Sequence, residues 1–220
     1  MRIRKKKWAE PELSVCDFYI PNPKDYKGKW QSFFNNNNPI MLEVGCGKGG
    51  FVGKMALLHP EINFIAVDIK LDMLGVGRRN IVKMFEEENR EVNNIALVKY
   101  NVEMLDEIID ETDGIQRIYI NFCNPWPREK HKKRRLTYPK KLKMYRNFLP
   151  DGQEIHFKTD DDNLFEESLE YFKSENYELM YVTYDLHKSD IDPKTTPMTE
   201  HEKMFSDEGI KIKYLKAKKI

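Results

Sequence analysis

Residues 40 to 58 read I-M-L-E-V-G-C-G-K-G-G-F-V-G-K-M-A-L-L. An apolar run, Ile40–Val44, passes into a glycine-rich loop over 45–50, and a helix is expected from Phe51 to Leu58. A run that is apolar at every position suits a strand buried on both faces. Glycines at its end allow a tight turn and let the backbone approach a ligand. The same alternation continues down the chain. Strands are expected over 63–68, 95–100, 117–122 and 154–158, with helices over 71–88, 102–109, 139–148 and 164–174. Segments 177–184 and 210–217 read as a closing strand pair. Strand–helix alternation at this spacing gives a three-layer, Rossmann-like α/β fold, with a mostly parallel seven-stranded sheet and helices on both faces. Its crossovers should be right-handed.

Outside these strands the chain distributes its charge unevenly. Its 220 residues suit a single domain, 1–220, in which 1–39 reads as a basic N-terminal arm and loop. A hydrophobic content of 40% excludes a disordered chain. The net charge of +1 hides a segregation. Residues 128–143 hold nine Lys or Arg against one acid, Glu129, and 2–7 and 211–219 hold five Lys or Arg each with no acid. Such clustering suits an anionic partner. Cys16, Cys46 and Cys123 are isolated, which argues against a zinc site or a disulfide framework and fits a reducing cytoplasm. No apolar run approaches the ~20 residues of a membrane span.

Gly45, Gly47 and Gly50 spell G-x-G-x-x-G, so a nicotinamide enzyme has to be considered. A P-loop does not fit, because Lys48 is followed by Gly49 rather than Ser or Thr. Two acids point to a third ligand. Asp68 ends the second strand, where a carboxylate accepts from the ribose hydroxyls of an adenosine. Glu43 stands two residues before the first glycine. An anion there opposes a pyrophosphate and suits the cationic end of S-adenosylmethionine (SAM). Capping of the next helix, or pairing with Lys48, is the plainer role for Glu43. Asn101, after the third strand, could meet an adenine edge or simply start a turn.

After the fourth strand the chain reads N-F-C-N-P-W-P-R-E-K-H-K-K-R-R-L over 121–136. A polar, Pro-stiffened turn at the end of a buried strand is where open α/β folds place chemistry. A basic block beside it suits a phosphate backbone. Trp126 could stack on a base or pack in the core. Thr199 and Glu202 carry the spacing of a helix capping box.

These motifs, together with A-V-D-I, I-H-F-K-T-D and the late M-T-E-H-E-K-M-F, resemble the bacterial tRNA (guanine-N7-)-methyltransferases, enzymes of the class I SAM-dependent fold. The resemblance runs from Arg2 to about Tyr214. It implies SAM as cofactor and tRNA as partner, with transfer to N7 of a guanine, position 46 in the variable loop. It implies no metal and no membrane, a cytoplasmic setting, and a monomer or homodimer. Carried over by motif, cofactor contacts fall on Glu43, Gly45, Gly47, Asp68, Asn101 and Asn124, and catalysis on Asn124. Substrate contacts fall on Arg128, Asp160, Thr199, Glu200, His201 and Glu202, with Glu202 accepting from the guanine N1–H and N2–H edge. RNA contacts fall on Lys130, His131, Lys132, Lys133, Arg134 and Arg135. The chain departs from the pattern at Asn124, where the family usually has Asp, at Arg128 in place of Lys, and at Asn101, where an acid is common. Guanine N7 carries an in-plane lone pair and loses no proton on methylation, so alignment rather than a general base is required. Other readings are a SAM enzyme for another RNA or for protein glutamine, and a tRNA-binding protein impaired in catalysis by Asn124.

Overall fold

A computed structural model describes residues Lys5 to Ile220. Arg2 and Arg4 of the basic N-terminal cluster lie outside the described residues. The strands are β1 (Tyr19–Ile20), β2 (Ile40–Val44), β3 (Asn63–Asp68), β4 (Ile95–Lys99), β5 (Ile115–Asn121), β6 (Glu154–Thr159), β7 (Tyr177–Thr183) and β8 (Lys213–Lys219). They form one sheet in the order β1-β4-β3-β2-β5-β6-β8-β7. Pairing is parallel from β1 through β6, and β8 runs antiparallel between β6 and β7. The sheet thus has eight strands where seven were expected. The extra one is β1, a two-residue edge on β4 too short to show an alternating pattern in the sequence.

The helices are α1 (Ala9–Ser14), α2 (Trp30–Phe34), α3 (Gly50–Leu58), α4 (Leu71–Glu87), α5 (Pro139–Arg146), α6 (Asp162–Ser174) and α7 (Glu200–Asp207). The pleat of the strands sorts the core into two layers. Ile40, Leu42 and Val44 of β2 join Ile118 and Ile120 of β5 on one face, under Leu142 and Tyr145 of α5 and Phe165 and Phe172 of α6. Met41 and Tyr119 point the other way, against Phe51 and Val52 of α3 and Leu74 and Ile81 of α4. The expected helix over 102–109 is instead a 3-10 segment, Val102–Glu107, broken at Met104.

Residues 5–39 are not the loop the composition suggested. The α1 helix lies so close on α4 that a Cβ at Gly75 would stand 2.5 Å from that of Ala9. Trp30 is fully buried, and its indole N–H donates to the Ile108 carbonyl at 2.8 Å. Asp113 accepts from the Trp30 and Gly28 amides, so this segment is held by polar anchors as well as by apolar packing.

The chain order reverses between β2 and β5. Strands β3 and β4 build outward on one side of β2, and β5 and β6 on the other. In open α/β sheets such a switch point leaves a crevice beyond the carboxyl ends of the strands.

Candidate functional site

A cleft of about 370 Å³ lies at that switch point. Its cofactor side is built by β2, β3 and the glycine loop. Gly47 and Gly49 have φ of 53° and 69°, a left-handed backbone that glycine adopts without a steric penalty. At Gly49 an added Cβ would also meet the Ile81 side chain at 3.0 Å. Asp68 fixes the loop, accepting from the Gly47 amide at 2.9 Å and the Lys70 amide at 2.8 Å. Burial raises its carboxyl above the ordinary range, against the lowering effect of those amides.

Glu43 is buried at the bottom of the cleft. One carboxyl oxygen accepts from Asn121 Nδ2 at 3.2 Å, and the other has no hydrogen-bond partner. Desolvation pushes this carboxyl up to about 8, although Asn121 and the Lys158 charge work in the opposite direction. A buried, unpartnered carboxyl oxygen facing a cleft suits a cationic ligand group, whose charge would offset the desolvation cost. A zwitterionic sulfonium compound brings such a group. Pairing with Lys48 does not describe Glu43 here, since Lys48 pairs with Glu200 instead, whereas the Val52 amide in the first turn of α3 does act on its carboxyl.

The acceptor side is built by the turn after β5 and by α7. Phe122 and Trp126 both have positive φ, 49° and 42°, which is costly for bulky residues and occurs where surroundings hold it. Asn124 lines the cleft, and its Oδ1 accepts from the Trp126 amide at 3.0 Å. That bond turns the amide NH₂ away from the backbone, so Asn124 offers a donor. Cys123 also lines the cleft, but burial pushes its thiol up to about 12, which leaves no thiolate nucleophile there.

The basic block forms a 3-10 turn, Glu129–Arg134. Its period of three residues sorts the side chains onto three faces. His131 and Arg134 face Trp126, the imidazole stacked at 5.7 Å and the guanidinium 5.1 Å from the ring centroid. Lys132 and Arg135 face α6, where both pair with Glu167 at 2.8 and 2.7 Å. Arg135 is 1% exposed and also donates to the Pro125 carbonyl. Lys130 and Lys133 point to solvent and form no ion pair among the described residues. Two expectations are corrected here. Arg135 is buried and holds the turn in place, so it is not available to RNA. Trp126 is neither core nor a bare stacking platform, since its own basic block is packed on it.

The remaining expected site residues divide between the cleft and its surroundings. Gly45, Thr199, Glu200, His201 and Arg134 line the cleft. Arg128 is exposed outside it, as the N-cap of the basic turn. Asp160 is half-buried behind it, its carbonyl accepting from Lys213. Asn101 does not line the cleft, and its Oδ1 caps the Glu103 amide, the turn role rather than the adenine role. Glu202 is also corrected. Its carboxylate is 2% exposed, accepts from Lys158 at 2.6 Å and closes a capping box with Thr199. It is therefore engaged and does not present itself to a base. Sequence reading missed Lys158, Phe122 and Asn121. Asn121 and Phe122 showed only as the end of the expected strand 117–122 and the start of the motif after it, and Lys158 only as the last residue of the expected strand 154–158.

Among the described residues no group of His, Cys, Asp or Glu is placed to hold a metal ion. No helix there is long and apolar enough to cross a membrane.

Solved structures share the fold. An antibiotic-related methyltransferase superposes with a TM-score of 0.59 at 14% identity, over 88% of this chain and 92% of that one. A 16S rRNA (adenine(1408)-N(1))-methyltransferase from Catenulisporales acidiphilia, solved with the cosubstrate SAM, gives 0.59 at 12%, over 91% and 92%. The strand order and the glycine loop at the switch point define a Rossmann-like α/β fold, the one these methyltransferases share. Residues 37–215 match the family described as "Putative methyltransferase". A "tRNA (guanine-N(7)-)-methyltransferase" of Clostridium beijerinckii is 57% identical, covering 100% of this chain and 99% of its own. One of Acetivibrio thermocellus is 48% identical over 100% of both. The chain belongs to the tRNA (guanine-N(7)-)-methyltransferase family.

Proposed function

We propose that this protein transfers a methyl group from SAM to N7 of a tRNA guanine, in the variable loop at position 46, in the cytoplasm. One observation carries the reading beyond family membership. The turn after β5 lines the cleft with Asn124 and Trp126 and, within eight residues of Trp126, supplies solvent-facing Lys130, Lys133 and Arg134. A methyl-transfer cleft and a phosphate-binding face are thus one piece of chain.

Bound SAM supplies an electrophilic methyl group on a sulfonium. The protein's own part is to bind and orient. Glu43 would hold the cationic end and Asp68 the ribose hydroxyls. Guanine presents N7 and O6 side by side as acceptors. Asn124, by holding the turn through the Trp126 amide, would align N7 with the methyl group without taking a proton from it. Arg134 and His131, packed on Trp126, would guide the acceptor strand to the cleft. Arg128, Lys130 and Lys133 would meet its phosphates. Thr199, Glu200 and His201 would line the far wall.

The test is incubation with labelled SAM and unmodified tRNA, followed by nucleoside analysis. Label in 7-methylguanosine is expected, and mapping by chain cleavage should place it in the variable loop. Label in another nucleoside, or none, would overturn the reading.

A further inference from the structure

Lys158 is fully buried on β6, and its partner Glu202 is 2% exposed on α7, with Nζ and Oε2 2.6 Å apart. Two charges withdrawn from water cost more than an apolar pair of the same volume, so such a pair needs a reason other than stability. The α7 helix supplies one. Its eight residues bury only Glu202, and Met204 on it is exposed. Phe205 packs the C-terminal half of the helix against Leu186, Ile212 and Tyr214, while the turn that opens it, Glu200 to Lys203, carries no apolar residue. Polar groups hold that turn: Lys158 donates to Glu202 and to the Pro197 carbonyl at 3.3 Å, Lys54 to the Met198 carbonyl at 2.7 Å, Lys48 pairs with Glu200 at 3.4 Å, and His187 Nε2 stands 3.5 Å from Glu202 Oε1. Only the Lys158 contacts are buried. The segment so fixed includes Thr199, Glu200 and His201, which line the cleft opposite Asn124.

We propose that Lys158 is a positioning residue for the acceptor side, and that Glu202 serves the reaction as its buried anchor rather than by touching the base. Were Glu202 to leave for a guanine edge, Lys158 would remain in the interior without its counter-charge. Across the sheet Lys158 pairs in register with Asn121, which donates to Glu43, so the anchor of α7 stands next to the cofactor acid. The proposal rests on the methyltransferase reading above.

The test compares Glu202→Gln, Lys158→Met and the double variant by two readouts. The first is hydrogen exchange of the amides over 197–207, which needs no activity. The second is kcat and KM for tRNA at saturating SAM, whose affinity for each variant is first titrated. Each single change should speed exchange across 197–207 by about tenfold or more and raise the tRNA KM by a similar factor. The double variant should match the worse single within about threefold, because the pair acts as a unit. Glu202→Gln keeps the capping geometry, so it decides the matter if Lys158→Met fails to fold. Unchanged exchange in Glu202→Gln with activity abolished would mean that Glu202 acts on the base directly and would overturn the proposal. So would losses in the double variant that simply multiply. Should the natural protein methylate no tRNA guanine, the exchange readout still decides whether the anchor exists, which separates this failure from that one.

Discussion

On the cofactor side of the cleft the functional groups hang from the ends of strands buried on both faces. Glu43 closes toward the end of β2, Asp68 ends β3, and the loop between β2 and α3 is tied to Asp68 by the Gly47 amide. On the acceptor side they hang from a 3-10 turn and a two-turn helix, fixed by ion pairs to Glu167 and Lys158. The first side is rigid because a hydrophobic core makes it so. The second keeps its shape through charges, and it spends some of its basic residues on itself. Counting positive charges in a motif therefore overstates how many meet RNA.

The largest effect should fall on the cofactor side. Glu43→Ala should weaken SAM binding by about tenfold to a hundredfold, the worth of one charge-assisted hydrogen bond at about 1.5–3 kcal/mol. The pH dependence has a definite sign. Burial holds the Glu43 carboxyl near 8, above its ordinary value, so the group is largely protonated below that pH. Only the ionised form suits a cation. Affinity should thus rise toward pH 8, by up to about tenfold per unit, and level off above it. Calorimetric titrations in buffers of different ionisation enthalpy should register a proton released on binding at pH 7. In Glu43→Gln both the slope and the proton release should vanish. A flat profile in the natural protein would mean that Glu43 is already ionised and paired.

On the acceptor side the period-three sorting gives the next test. Replacing Lys130 and Lys133 by Ala should reduce the slope of log affinity for tRNA against log salt by about 0.7–0.9 per lost phosphate contact, with SAM affinity unchanged. Replacing Arg135 by Ala should leave that slope alone. It should instead lower stability, by about 1 kcal/mol, since Glu167 is partly exposed and screened. Denaturant midpoints and filter-binding isotherms measure the two separately. If Arg135 shifts the salt slope as much as Lys133 does, the assignment of faces is wrong.

The same contrast explains what the sequence disclosed. Strands β2 to β6 carry apolar runs long enough to read, and glycines and acids mark the ends that matter. Glu43 and Asp68 were therefore legible as a pair. Residues 5–39 were not, since one-turn helices and a two-residue strand show no period, and the anchors there, Asp113 and Ile108, lie some eighty residues away. Within the basic block every residue looks alike until its helix type is known. A period of 3.6 would have placed different cations on Glu167 than a period of three does. Lys158 and Glu202 are 44 residues apart, and nothing local announces their pairing.

The central claim is that methyl transfer here needs alignment by Asn124 and not a base. Single-turnover methylation of a tRNA transcript tests it most directly, at saturating SAM and tRNA, for the natural protein, Asn124→Asp and Asn124→Ala, each first shown to be folded. Asn124 keeps the Trp126 amide bonded, and Asp can do the same through a carboxylate oxygen. The natural protein should be active with a rate that is flat across neutral pH. Asn124→Asp should stay within about tenfold of it, a difference of roughly 1.4 kcal/mol, and Asn124→Ala should fall well below both. An inactive natural protein beside an active Asn124→Asp would contradict the claim and make the carboxylate a chemical requirement.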